Sequence, residues 1–149
     1  MLIVRGGRGH EHVNGRQQTP GQSRVAGDLH QGDLERIDEF FAADFTRHDP
    51  GGREIRGPDE NRQFVTALRT AFPDLSFTVL DEIAEGDRIA VRYRFQGTHL
   101  GDFQGMPPTR KQASYSGMLI YRIAGGKIAE QWTEIDLLSL LRQLGALKA

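Results

Sequence analysis

The stretch LSFTVLDEIAEGDRIAVRYRFQG, residues 75–97, decides the fold, because its hydrophobicity alternates with period two on both sides of a Gly86-Asp87 turn. In the second half, every other side chain is apolar and faces one way, while Arg92 and Arg94 face the other. This alternation is typical of a strand with one buried face. We therefore predict two neighbouring antiparallel strands in this stretch.

Two further strands follow along the chain. Residues 112–123 and 127–135 have strand patterns, and the Ala-Gly-Gly sequence at 124–126 is a hairpin signal between them. A loop rich in Gly and Pro, residues 101–108, separates them from the first pair. Four consecutive strands in meander order predict an antiparallel sheet.

Helical patterns flank the strands. They cover residues 24–31, 34–43 and 57–72 before the sheet and residues 137–144 after it. Residues 45–50 are predicted as a short extended piece, because a residue before Pro avoids the helical region. Helices first, then strands, then one helix, with no βαβ alternation, predict an α+β fold with helices packed on one face of the sheet.

The beginning of the chain differs in composition from the rest. Of 149 residues, 38% are hydrophobic and 26% charged, with net charge −1, which is typical of one soluble domain. Residues 1–31 carry four arginines against two acidic residues, and six of the 18 glycines. Such a stretch buries too little apolar surface to offset its ordering entropy. We predict a disordered tail over residues 1–22 and a single domain over residues 23–149.

Composition and motifs exclude several classes of function. The chain has no cysteine, which excludes disulfides, thiolate catalysis and Cys-ligated zinc. Nearly equal basic (19) and acidic (20) counts argue against a nucleic-acid partner. No apolar run is long enough for a membrane span or a signal peptide, so we expect a cytoplasmic protein with no membrane partner. Neither a Gly-x-Ser-x-Gly elbow nor a Gly-rich phosphate loop occurs.

The last predicted strand carries more candidate functional side chains than the other predicted elements. With period two, five side chains share one face, those of Ile128, Glu130, Trp132, Glu134 and Asp136. This face is either solvated, with Asp136 capping the final helix, or it lines a concave pocket in which burial suits a carboxyl to acid/base work. Trp132 favours the pocket, because a tryptophan in water would expose a large apolar area. Glu134 and Asp136 are therefore the candidate carboxylates.

Two histidines lie at the ends of predicted elements. His48 follows a helix and precedes a Pro turn, and His99 follows the strongest strand on the side of its apolar face. A single histidine is more often structural than catalytic, but two of them with Asp136 at a third element end are compatible with a pocket rim. Their spacing carries no metal-binding signature, so we expect no metal.

Six short segments are similar to one known family. They are FTRHDP (45–50), IRGP (55–58), AFPDL (71–75), FQGTHLGDF (95–103), PPT (107–109) and IAEQWTEID (128–136). In this order, across residues 32–145, the chain resembles the SnoaL-like polyketide cyclase (ester cyclase) family. The resemblance implies a nuclear-transport-factor-2-like cone: a curved antiparallel sheet closed by N-terminal helices over a deep pocket. It also implies a homo-oligomer, a dimer or a tetramer.

The resemblance implies a reaction as well. It is a cofactor-free intramolecular aldol condensation that closes a ring of an aromatic polyketide ester, a step of antibiotic biosynthesis. Asp136 matches the family's acid/base aspartate, and a conjugated substrate spreads the enolate charge, so that one carboxylate in a dry pocket suffices. The candidate residues for binding this hydrophobic polycyclic substrate are His48, His99, Trp132, Glu134 and Tyr115. No cofactor is implied.

Four other functions are compatible with the same residues. The first is a hydroxylase-type tailoring protein of aromatic polyketide biosynthesis. A limonene-epoxide-hydrolase-like enzyme would need an Asp–Arg–Asp set, in which only Asp136 has a candidate position. Ketosteroid-isomerase-like chemistry would use Tyr115 or Tyr121 in an oxyanion hole. A non-catalytic binder of a hydrophobic polycyclic ligand would keep its function after Asp136→Asn.

Overall fold

Residues 37–147, which the computed structural model describes, form a six-stranded sheet with helices against it. The predicted tail over residues 1–22 and the predicted helix over residues 24–31 lie outside the described residues. None of the helices within residues 37–147 combines the length and the apolar character needed to cross a bilayer.

The helices and strands follow one another along the chain in a fixed order. The elements are α1 (Ile37–Phe40), β1 (Phe41–Asp49), β2 (Arg53–Arg56), α2 (Gly57–Ala71), β3 (Ser76–Glu85), β4 (Arg88–Thr98), β5 (Gln112–Ala124), β6 (Lys127–Ile135) and α3 (Leu137–Gln143). The spatial order of the strands is β2-β1-β6-β5-β4-β3. The α+β class and the four predicted strands from β3 to β6 are confirmed.

The sheet is mixed, whereas the sequence predicted an antiparallel one. β1 runs parallel to β6, with His48 opposite Trp132, and every other neighbouring pair is antiparallel. Parallel neighbours need a long crossover, and here it runs over residues 50–126, from the end of β1 to the start of β6. The N-terminal strands therefore extend the meander on the side of β6.

The helix predicted over residues 34–43 was wrong from Phe41 onward. The spacing of apolar residues suits a helix, but Phe41 and Phe45 are buried in the sheet and their rings meet edge to face at 4.5 Å. Pairing of β1 with both β2 and β6 supplies hydrogen bonds that a helix would forgo, so tertiary context overrides local preference.

The core lies on the inner face of the sheet, under α2 and α3. β4 and β5 pair from Arg88↔Arg122 to Thr98↔Gln112, and alternate side chains of both strands point inward. Aromatic rings fill much of this space. The buried inward-facing residues of these two strands are Ile89, Val91, Tyr93, Phe95, Ala113, Leu119 and Tyr121.

A β-bulge near the start of β6 decides which side chains face the core. The pairing shifts between Arg122↔Glu130 and Ile123↔Ile128, and both Ile128 and Ala129 are buried. The extra residue reverses the alternation for the rest of the strand. Ile128 thus does not share a face with Glu130, contrary to the period-two expectation.

The end of β4 and the loop after it are hydrogen-bonded to the C-terminal end of α2. The N–H groups of Leu100 and Gly101 donate to the carbonyl oxygen of Ala71, and Thr98 donates twice to the Asp74 carboxylate. These bonds satisfy a helix-terminal carbonyl that would otherwise lack a partner. They hold α2 over the inner face of the sheet and so position the roof of the cavity described next.

Candidate active site

A cavity of about 230 Å³ lies between α2 and the inner face of the sheet. Its apolar walls come from Phe64, Val65 and Leu68 of α2 and from the strand residues Phe77, Leu119 and Ile135. A cavity with mostly apolar walls and a few converging polar groups is the usual form of a small-molecule site. This is therefore the candidate active site.

The polar end of the cavity holds an ion pair from β1. Arg47 and Asp49 are two residues apart on a strand and so share its inner face. Arg47 Nε donates to Asp49 Oδ1 at 2.5 Å, and the two side chains are only 14% and 9% exposed. Among the cavity-lining residues within 37–147, Asp49 is the only carboxylate.

The aromatic ring of Phe64, on α2, holds Arg47 in place. Its guanidinium carbon lies 4.1 Å from the centroid of the Phe64 ring, a cation–π contact. Arg53, which pairs with Asp49 across β1 and β2, also approaches Phe64, at 5.4 Å. Two guanidinium groups therefore lie against the Phe64 ring, and only that of Arg47 is ion-paired with the Asp49 carboxylate.

Three tyrosines line the same cavity. Burial raises the pKa of Tyr93 to about 12 and also raises the pKa values of Tyr115 and Tyr121. The charge of Asp49 raises the pKa values of Tyr93 and Tyr115 further, and Arg47 lowers them. Phenols with such raised pKa values stay protonated at neutral pH and can donate to substrate oxygens. Tyr115, a predicted substrate-binding residue, is thus at the cavity.

His48 and Trp132 lie on the outer face of the sheet, which corrects the side expected for them. Their stacked ring centroids lie 5.6 Å apart, and the guanidinium carbon of Arg88 lies 4.9 Å from the centroid of the Trp132 ring. His48 Nε2 lies 2.8 Å from Glu130 Oε2, and this hydrogen bond lowers the pKa of Glu130. Neighbours on its own sheet cover the apolar area of Trp132, so no pocket is needed to bury it.

Glu134 and Asp136 lie outside the cavity lining. Glu134 is exposed on the outer face, on the same side as Trp132. Asp136 caps α3: its Oδ1 accepts a hydrogen bond from the Ser139 N–H at 2.9 Å. Its neighbours Ile135 and Leu137 both line the cavity, so Asp136 lies at the edge. The catalytic role of Asp136 stays a prediction.

His99 is fully buried beside the cavity but does not line it. Its ring stacks on Phe72 at 5.3 Å, and its Nδ1 accepts a hydrogen bond from the Thr109 N–H at 3.2 Å. Its Nε2 has no hydrogen-bond partner within the described chain. Phe103 contacts His99 edge to face and does line the cavity, so His99 supports a wall residue.

Sequence reasoning missed Arg47 and Asp49. The signal was present in FTRHDP, residues 45–50, where the two charges alternate with Thr46 and His48. The sequence analysis predicted this segment as a short extended piece without a partner strand. It therefore gave no reason to expect that one face of the segment points into the fold. No group of three or more potential metal ligands occurs within residues 37–147.

Comparisons with known proteins find similar sequences over most of the chain. The sequence model described as SnoaL-like polyketide cyclase matches residues 23–144. Aklanonic acid methyl ester cyclase DauD of Streptomyces sp. (strain C5) is 31% identical over 112 residues, which is 73% of this chain and 66% of DauD, just under two thirds of its length.

Two solved structures are similar over most of their length. AclR, a proposed hydroxylase from Streptomyces galilaeus, superposes with a TM-score of 0.72 at 30% identity, covering 87% of this chain and 80% of AclR. IdmH, a proposed polyketide cyclase from Streptomyces antibioticus, gives a TM-score of 0.72 at 31% identity and covers 85% and 99%. The nuclear-transport-factor-2-like fold is thereby confirmed.

Proposed function

The chain belongs to the SnoaL-like polyketide cyclase family, and from that premise we propose that it closes a ring of an aromatic polyketide ester by a cofactor-free intramolecular aldol reaction. The observation that carries the proposal is the cavity itself, with its apolar walls and one carboxylate–guanidinium pair among phenols. A polycyclic skeleton would pack against the walls, and its oxygens would meet the polar end.

The reaction needs little beyond these groups. A base takes the proton from the carbon between two carbonyls, the resulting enolate carbon attacks a ketone carbon of the same molecule, and the new alkoxide takes the proton back. One C–C bond forms, one C–H bond is replaced by an O–H bond, and no electrons are lost or gained. A cavity that excludes water strengthens the hydrogen bonds to the enolate oxygen.

A second candidate function rests on the similarity to AclR, which is a proposed hydroxylase at 30% identity. The same cavity would then bind a polycyclic product rather than close its ring. Hydroxylation needs an oxidant and electrons, which the aldol reaction does not. The two functions therefore differ in the mass of their products.

The first test is incubation of the protein with an aromatic polyketide methyl ester that carries the open ring, with no cofactor added. We expect a new isomer of unchanged mass, measured by liquid chromatography with mass spectrometry. The hydroxylase is tested in a second incubation, with the closed polycyclic product, molecular oxygen and a reductant, where a product heavier by one oxygen would establish it. Tight binding of the ester and of the closed product with turnover in neither incubation would contradict both functions and leave a binding protein.

A matched pair of variants checks that the chemistry takes place in this cavity. Val65 lines the cavity, whereas Thr66, the next residue of α2, is exposed. Val65→Trp should displace the substrate and lower kcat/KM by about a hundredfold. Thr66→Trp should leave kcat/KM near the wild-type value. Equal effects of the two variants would contradict the assignment of the cavity.

Three further parts of the proposal rest on the resemblance. Asp136 remains the acid/base that the resemblance implies. The chain is also proposed to assemble as a dimer or tetramer and to work in the cytoplasm. Exposed apolar side chains beside Trp132, those of Met118 and Ile120, support assembly through the outer face of the sheet.

A further inference from the structure

A buried carboxamide on α2 has no partner within residues 37–147. Asn61 lines the cavity and is only 3% exposed, and no hydrogen bond to its side chain occurs in this part of the chain. A carboxamide can donate two hydrogen bonds and accept two. Buried polar groups are nearly always hydrogen-bonded, and leaving one unbonded costs free energy. The hydrogen-bonding capacity of Asn61 is therefore available to a molecule in the cavity.

The helix places this amide near the guanidinium group of Arg47. Residues three and four apart on a helix are neighbours, so Asn61 lies next to Phe64 and Val65, which also line the cavity. The guanidinium carbon of Arg47 lies 4.1 Å from the centroid of the Phe64 ring. The amide is thus within one helical turn of the residue that contacts Arg47. A ligand there meets a neutral amide on α2 and a charged group on β1.

The charged side chains around Asn61 are paired with other residues. Arg62, the next residue of α2, forms an ion pair with Asp38 at 3.1 Å. Arg47 is paired with Asp49. An asparagine that served only to stabilise the fold would be expected to bond to groups of this kind, and Asn61 bonds to none of them. This absence favours a role toward a ligand.

We infer that Asn61 is a substrate-binding residue, whose amide selects a polyketide with a keto or hydroxyl oxygen on the edge that faces α2. The inference rests on the proposed function and deepens it by naming a required feature of the substrate. A keto oxygen would accept a hydrogen bond from Asn61 Nδ2, and a hydroxyl group could also donate to Oδ1. An analogue without this oxygen would leave the amide unpaired in a filled cavity, which disfavours its binding.

The test compares two bicyclic probes that have no ring to close. Naphthazarin, a dihydroxynaphthoquinone, carries oxygens on both edges, and naphthalene has the same carbon skeleton without oxygen. The chain has no cysteine thiol that the quinone could alkylate. Asn61→Leu should lower the affinity for naphthazarin roughly five- to tenfold, the usual effect of one hydrogen bond. The affinity for naphthalene should not fall. Isothermal titration calorimetry of the full chain measures both.

Two further readouts separate binding from a structural role. Ligand-free Asn61→Ala should be about as stable to urea as the wild type, because it removes an amide without a partner and Ala favours a helix. In the wild-type protein, the side-chain NH₂ signals of Asn61 should shift in the NMR spectrum when naphthazarin is added. Their absence from the spectrum of Asn61→Leu identifies them.

Gln63 provides the control of the same chemistry. It carries a carboxamide on the same helix, but it is exposed and does not line the cavity. Gln63→Leu should therefore leave the affinities for both probes at their wild-type values. An effect of Gln63→Leu as large as that of Asn61→Leu would overturn the inference.

The remaining outcomes separate the inference from the proposed function. An equal loss of affinity for both probes in Asn61→Leu, or a clear loss of stability in Asn61→Ala, would overturn the inference. Naphthazarin binding that depends on Asn61, without ring closure of the polyketide ester, would uphold it and overturn the cyclase function. Ring closure with an unchanged kcat/KM in Asn61→Leu would do the reverse. Should Asn61→Leu fail to fold, Asn61→Ala removes the same amide without added bulk.

Discussion

Asp136 shows how much a single side chain can do at the start of a helix. Its carboxylate caps α3 by accepting from the Ser139 N–H, and Asn caps about as well as Asp, whereas Ala does not. Asp136→Ala should lower the free energy of unfolding by about 1 kcal/mol. Asp136→Asn should change it little. Urea denaturation measures both.

The exposed residue Glu134, on the neighbouring strand end, supplies the control. Glu134→Ala should change stability by no more than about 0.5 kcal/mol, as is usual for surface positions. Equal destabilisation by Asp136→Asn and Asp136→Ala would show that the cap is not what Asp136 contributes. The same Asp136→Asn protein then serves in the activity measurements, because its fold is preserved.

At the scale of single residues, sequence reasoning reached only part of the site. Tyr115, a candidate substrate-binding residue from the family resemblance, lies at the cavity. The placement of Trp132 was wrong because burial was equated with a pocket, while His48 and Arg88 cover the ring on the outer face. Asp49 was missed because its inner position depends on a strand partner that lies far away in the sequence.

At the scale of elements, the close packing of the loop after β4 against the end of α2 depends on Gly101. A Cβ at this position would overlap the carbonyl oxygen of Thr70, which is backbone and cannot move aside easily. Gly101→Ala should therefore destabilise the protein by about 1–3 kcal/mol, the usual effect of overpacking. Thermal and chemical denaturation measure this loss.

Leu100 provides a comparison within the same loop. Its side chain is half exposed, and its backbone N–H donates to the carbonyl oxygen of Ala71. Leu100→Ala should therefore have a small effect. A Gly101→Ala protein as stable as the wild type would mean that the loop is not held against α2.

The elements that the sequence predicted well are those with local signals. The bounds of α2 and of the strands β3 to β6 agree with the expected ranges within one residue, because proline, glycine turns and period-two patterns mark them. The first three residues of β1 were predicted as helical and residues 45–49 as an extended piece without a partner strand, because the parallel pairing of β1 with β6 has no local signature. The bulge in β6 was not predicted for a similar reason, because it arises from the pairing of β6 with β5.

At the scale of the whole molecule, the tyrosines report on the integrity of the fold. The chain has three of them, all line the cavity, and burial raises the pKa of each. The folded protein holds these protons at a pH where the unfolded chain releases them, near pH 10. The resulting stability is complete below about pH 10 and is lost as the pH rises toward 12.

A spectrophotometric titration of tyrosinate tests this expectation. Native protein should show almost no ionisation near pH 10, followed by ionisation of all three side chains together with loss of the circular dichroism signal. In denaturant the same three tyrosines should titrate independently near pH 10, as free phenols do. Ionisation of any tyrosine near pH 10 with the fold intact would contradict the burial described here.

The parallel pairing of the first and last strands has a consequence for synthesis on the ribosome. Arg47 faces Gln131 across the two strands, so the wall that carries Arg47 and Asp49 lacks its neighbour until β6 has been translated. Contacts between residues so distant in sequence close late and slowly. A nascent chain arrested before β6 would thus contain α2 and the central hairpin but no completed cavity. The cavity is therefore completed only once residues 127–135 have been translated.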